Sequence, residues 1–114
     1  DIQPKIKKEL DVAWSPVVRK RYKVCAKCRK APASQAAHIF SRRHLSTRWD
    51  IRNGIGLCYY CHIIWSHREP IEFAIWVKAE IGEDVFETLR KKSEEIYSEV
   101  SLKNDKEKIL NLLQ

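Results

Sequence analysis

Four cysteines stand as two matched knuckles, Cys25-x-x-Cys28 and Cys58-x-x-Cys61, with 29 residues between them. Each knuckle can turn two thiolates toward one point, and two knuckles complete the tetrahedral four-sulfur shell that zinc prefers. Two disulfides or a redox Cys-x-x-Cys would use the same residues, but paired knuckles in a chain without secretory features favour a metal. Four thiolates leave no coordination position open, so zinc here is expected to be structural, adding on the order of 10 kcal/mol to folding. Further chemistry lies on this frame: His38 and Asn53 fall between the knuckles, and His62 directly follows Cys61.

At these residues the sequence resembles the HNH nucleases, also called His-Me finger or ββα-metal nucleases. The matching stretches are Ala37-His38-Ile39 and Asn53-Gly-Ile-Gly-Leu57-Cys58-x-x-Cys61-His62. The intervening text from His38 to Asp50 is similar to a phage-borne branch, the small phage recombination nucleases. The resemblance covers roughly residues 25–70. It implies a metal-dependent endonuclease, DNA as substrate in preference to RNA, and 5′-phosphate and 3′-hydroxyl products. It also implies an Asn53 that braces the loop aiming His38, and a ββα element lying on the minor groove. The chemistry supplies its own reasons for these residue types. Phosphodiester hydrolysis needs a base for water, which a neutral imidazole near pH 7 provides. It also needs positive charge beside the phosphate and the departing oxygen, which a metal provides. His38 is thus the expected general base and His62 the expected ligand of a catalytic Mg²⁺ or Mn²⁺.

One position departs from the pattern. Relatives often carry Asp or His as a metal ligand just before the base, and this chain has Ala37. His67 is the candidate replacement, although five residues from His62 is poor alignment on a regular helix unless that helix ends or bulges. His44 is a weaker candidate from the intervening loop. Arg42, Arg43, Arg48 and Arg52 surround the site in sequence and are expected to grip phosphates, with solvated charge or an ion pair to Asp50 as the alternative. Trp49 would either stack on a base or be buried against a knuckle. Trp65, Phe73 and Trp76 are expected to pack the core.

Several elements must position these groups. A short strand or hairpin arm is expected within 33–40, a tight turn at Asn53–Gly54, a returning strand over Ile55–Leu57, and a helix from Cys58 to Ser66. Pro70 should open a helix with Phe73, Val77 and Ile81 on one face, and Gly82 should end it. Asp84 with Glu87 reads as a capping box for a helix carrying Phe86, Leu89, Ile96 and Val100, and Asn104 with Glu107 as the start of a last helix through Leu113. Upstream, Ile2, Ile6, Leu10 and Val12 are scattered apolar positions. A short helix is weakly signalled over Lys5–Val12, Ser15–Pro16 marks a turn or a helix start, and Val17–Val24 forms a basic approach to the first knuckle. The expected architecture is α+β: a small zinc-stapled ββα-metal core with flanking α-helices. It forms a single domain over 1–114, with a basic N-terminal segment (1–24), the core (25–68) and C-terminal helices (69–114).

The bulk properties fit this frame. The chain has 114 residues, the size of one domain, and its 44% hydrophobic content excludes a disordered chain. Its net charge of +7 is uneven: residues 1–52 hold 14 Lys/Arg against 4 Asp/Glu, and residues 53–114 hold 8 against 11. The basic half suits a polyanion, or is generic solvated surface. There is no 18-residue apolar run for a membrane span and no signal-peptide layout, and the absence of Met reads as an initiator removed or trimmed. A bacterial or phage-infected cytoplasm is the expected location. Two other readings stand beside the nuclease: a non-catalytic zinc-containing DNA-binding module, which Ala37 favours, and an adaptor, which the basic half disfavours. Oligomeric state and cut-site preference are not encoded in any recognisable motif.

Overall fold

Ile6, Leu10, Trp14 and Val18 recur every four residues and form one stripe of a helix, α1 (Gln3–Lys20), in the computed structural model. Residues 3–114 are described, so Ile2 lies outside the described residues. Helix α1 is longer than the sequence signalled, and Pro16 sits inside it and marks neither a turn nor a start. An internal proline costs about 3 kcal/mol. Leu10, Trp14 and Val18 are almost completely buried, and at roughly 2 kcal/mol each their burial exceeds that cost.

The sheet is one antiparallel pair, β1 (Gln35–His38) and β2 (Gly54–Leu57), in the register Gln35↔Leu57, Ala36↔Gly56, Ala37↔Ile55 and His38↔Gly54. Alternation along β2 explains its two faces. Ile55 and Leu57 join Ala37 in a core with the four cysteines, while Gly54 and Gly56 face α1 and the residues after it. A Cβ on Gly54 would lie 2.5 Å from Val18 Cγ2 and 2.6 Å from Trp14 Cζ2, and one on Gly56 would lie 2.8 Å from Tyr22 Cβ. Gly54 lets α1 press onto the sheet, and Gly56 does the same for Tyr22 just beyond the helix. Asn53–Gly54 is therefore not the expected tight turn, since Gly54 is extended and already in the strand. The strands are joined by residues 39–53, which fold into a one-turn helix α2 (Leu45–Arg48) and a 3₁₀ turn (Ile51–Asn53).

Beyond Cys58 the chain turns helical, with a π-helical segment at Tyr60–Ser66. Helix α3 (Pro70–Ile81) starts on its proline and ends at Gly82, whose φ of 95° is a conformation favouring glycine. Helix α4 (Glu83–Ser93) begins without a side-chain cap, and the Asp84 carbonyl accepts from Thr88 Oγ1, so the expected capping box does not form. It also stops earlier than the apolar spacing suggested: Ile96 is 101% exposed, in the connection after the helix. Helix α5 (Glu99–Leu112) is capped by Ser98, whose side chain accepts from the Ser101 amide, and Asn104 lies within it. The earlier start places Leu102 in the α1 core with Leu113. The result is a compact, mostly helical α+β fold whose small sheet has α1 on one face and the knuckle core on the other. Among the described residues no helix is long and apolar enough to cross a membrane.

Candidate active site and metal centre

The first knuckle is the tip of a narrow loop closed by a bridge between Val24 and Pro32. The Cys25 amide donates to the Ala31 carbonyl, the Arg29 amide donates to the Cys25 carbonyl, and Arg29 takes a left-handed φ of 59° to complete the turn. The Ala26 amide donates to the Gly56 carbonyl and ties this loop to β2. The second knuckle follows β2 directly, and there the Cys61 amide donates to Cys58 Sγ at 3.4 Å. All four sulfurs lie within 4.8 Å of one another, with Cys28 and Cys58 Sγ 3.9 Å apart, and none is in a disulfide. A tetrahedral shell with metal–sulfur bonds of about 2.3 Å has edges of about 3.8 Å, so these residues fit an ion such as zinc. Backbone amides of Ala31 and Lys30 donate to Cys28 and lower its thiol to about 6, while burial, and then the neighbouring cysteines, push the Cys61 thiol up. Trp65 packs edge-on against Phe73 and Trp76 beside the centre, and Lys27 Nζ lies 4.8 Å over the Trp65 ring.

On the other side of the sheet, His38 ends β1 with its ring stacked on Trp14, centroids 4.0 Å apart and planes 12° from parallel. The pairing of His38 with Gly54 keeps the space above the strand free for that indole. His38 Nε2 lies 2.9 Å from the Arg48 carbonyl. A carbonyl can only accept, so Nε2 carries the hydrogen and Nδ1 keeps the lone pair. Burial lowers His38 to about 4, against the opposing pull of the Arg48 carbonyl and Asp11, so the ring is neutral at physiological pH.

His62 lies in the first turn after the second knuckle, and its amide donates to the Cys58 carbonyl. Its Nδ1 is 3.1 Å from Gln35 Oε1. With that oxygen accepting from Nδ1, Nε2 of the neutral ring keeps its lone pair, the arrangement by which metal-binding histidines are usually oriented. His67, five residues on, meets His62 edge to face with centroids 5.3 Å apart. Burial, and then the neighbouring His67, hold His62 below its ordinary value. His38, His62 and His67 line a single cleft of about 530 Å³ whose walls include Asp11, Ser15 and Arg42. His44 is outside that lining, at the N-terminal end of α2. Ala37 is buried in the knuckle core and offers no donor.

Asn53 is fully buried. Its Nδ2 donates to the Phe40 and Thr47 carbonyls and its Oδ1 accepts from the Phe40 amide, tying the start of the 39–53 connection to its far side.

The four arginines divide. Arg42 lines the cleft, 62% exposed, with only a long 3.4 Å contact to Asp11, and Arg43 is exposed nearby. Arg48 is 12% exposed and turned inward in a two-pronged pair with Asp11. Arg52 pairs with Asp50 and borders a different pocket, on the α4–α5 side. Trp49 is buried, but against α1 and α5 and not against a knuckle. Sequence reasoning missed three residues here: Asp11, Trp14 and Gln35. Asp11 is one of only four acids among residues 1–52, which was its one visible signal. Trp14 carried the four-residue apolar spacing of α1, a signal of burial but not of the site, and Gln35 had none.

A scan against protein-family models finds no match, and comparisons with curated proteins and with solved structures likewise find none.

Proposed function

We propose that this chain is a metal-dependent endonuclease of the HNH type that hydrolyses DNA phosphodiesters, with structural zinc on Cys25, Cys28, Cys58 and Cys61. The observation that carries this reading is the convergence of His38, His62 and His67 on one cleft, with the tautomer of His38 fixed. His38 Nδ1, the ring nitrogen that the Arg48 carbonyl leaves with its lone pair, takes the proton of the attacking water. His62 and His67 are the protein ligands of the catalytic metal. A bound divalent ion supplies positive charge at the phosphate and the departing 3′ oxygen. Asp11, the carboxylate in the cleft wall, is engaged by Arg48 and Trp49, so two imidazoles favour Mn²⁺ or another borderline ion over Mg²⁺, which prefers oxygen ligands. Arg42, exposed at the cleft wall, is the first side chain placed to meet a flanking phosphate.

The test is incubation with supercoiled plasmid and Mn²⁺ or Mg²⁺, beside an EDTA control and His38→Ala. Nicked or linear product that disappears in both controls supports the nuclease. Plasmid that is retarded in a gel but uncut, equally by parent and His38→Ala, establishes the second reading, a non-catalytic zinc-containing DNA-binding module. The missing donor at Ala37 is the observation that favours that alternative.

A further inference from the structure

We propose that Asp11, on α1, is a positioning residue for His38, acting through the Arg48–Trp49 peptide whose carbonyl fixes the imidazole tautomer. The catalytic consequence rests on the function proposed above, while the positioning itself rests on geometry alone.

The carbonyl that accepts from His38 Nε2 belongs to Arg48, the last residue of α2. Helix α2 has only four residues and no side-chain cap, so it cannot hold its own terminus by helix cooperativity. Its end is held by side chains. From within the connection, Asn53 Nδ2 donates to the Thr47 carbonyl at 3.0 Å. From outside it, Asp11 anchors both residues that flank the critical carbonyl. Oδ1 accepts from Arg48 Nε at 3.1 Å and from Trp49 Nε1 at 2.8 Å, and Oδ2 accepts from Arg48 Nη2 at 2.7 Å. A two-pronged carboxylate–guanidinium pair fixes geometry better than a single contact, and Arg48 is largely shielded from water. One turn along the same helix, Trp14 stacks on the His38 ring itself, and its Nε1 donates to the Asp50 carbonyl. Helix α1 thus grips the imidazole by its face and by the turn its Nε2 bonds to. Arg42 reaches Asp11 only at 3.4 Å and is not needed for the clamp.

The experiment is a ¹⁵N-labelled full chain, metal-loaded, with the ring nitrogens of its histidines read by long-range ¹H–¹⁵N spectra at pH 7. In the parent, His38 is expected to show a bare Nδ1 and a protonated Nε2. In Asp11→Asn the two His38 shifts should converge toward a tautomer mixture, with His62 and His67 unchanged. Turnover in Mn²⁺ at saturating DNA should fall at least roughly tenfold, out of the 10²–10⁴-fold that a positioned base contributes. Val77→Ala, a change in the knuckle core on the other face of the sheet, is the matched control for destabilisation and should leave the His38 shifts in place. If Asp11→Asn does not fold, Arg48→Lys removes the two-pronged contact while keeping the charge and the carbonyl, and it carries the same expectation. A folded variant that keeps His38 in the single Nε2–H tautomer overturns the proposal, as does a parent that is already mixed. Tautomer mixing in the variant, with no cleavage by the parent, supports the positioning role and sinks the nuclease reading instead.

Discussion

His62 and His67 are five residues apart in sequence, yet their rings meet edge to face with centroids 5.3 Å apart. On an α-helix that spacing would turn the two side chains well away from each other. The intervening segment, Tyr60–Ser66, is π-helical, and i→i+5 hydrogen bonding stacks residues five apart. The wider turn also lets Cys61 face the sulfur cluster while Trp65, four residues on, reaches Phe73 and Trp76. One local distortion therefore serves both the cysteine centre and the histidine cleft.

The pair gives a metal prediction. Mn²⁺ should support faster plasmid cleavage than Mg²⁺. His67→Ala should raise the Mn²⁺ concentration needed for half-maximal rate by about 10–100-fold, and His62→Ala should cost more. An unchanged Mn²⁺ titration in His67→Ala would remove His67 from the site.

The purified chain should contain one equivalent of zinc, bound by four thiolates. Removing it with a strong chelator, or mutating Cys25→Ser or Cys61→Ser, should abolish cooperative thermal unfolding, because about 10 kcal/mol of folding free energy goes with the metal. A metal-free chain that melts at the parent's temperature would show that the sulfurs cluster for packing alone.

Burial lowers His38 from 6.5 to about 4 in the folded chain. The unfolded chain therefore binds the proton first, and stability rises with pH across that interval. Acidifying from pH 6.5 to 4 should cost up to about 3 kcal/mol through this ring. His38→Phe should lack that loss, as measured by urea unfolding at each pH. Matching pH dependence in the two proteins would place the sensitivity elsewhere.

The arginines should separate in salt-dependent DNA binding. Arg42→Gln should weaken affinity for every sequence and reduce the logarithmic salt slope by about 1. Arg52→Gln, which removes a partner of Asp50 beside another pocket, should leave the slope unchanged. Arg48→Gln should instead lower thermal stability, since it breaks the shielded pair with Asp11. Equal slopes for Arg42→Gln and the parent would exclude the cleft wall as a phosphate contact.

What the sequence alone determined was set by short-range chemistry. Each cysteine knuckle is a local turn, so its sulfurs were bound to converge in pairs. Pro70 and Gly82 bound α3 because one fixes φ and the other accepts a positive one. The short run Ile55–Leu57 marked a returning strand, and the family resemblance marked His38, Asn53 and His62 as one site. The ends of α4 and α5 were misread because Ile96 and Val100 fit the helical period yet are exposed. Periodicity reports what one helix could bury, not whether another element lies against it. Only the tertiary structure decided the rest. That Gly54 is a contact surface for α1, that a π-helical turn rather than an α-helical one follows Cys61, and that Asp11 holds Arg48 inward all depend on groups 36 or more residues apart or on competing local demands. Such partners are selected by packing in three dimensions, and no spacing rule along the chain records them.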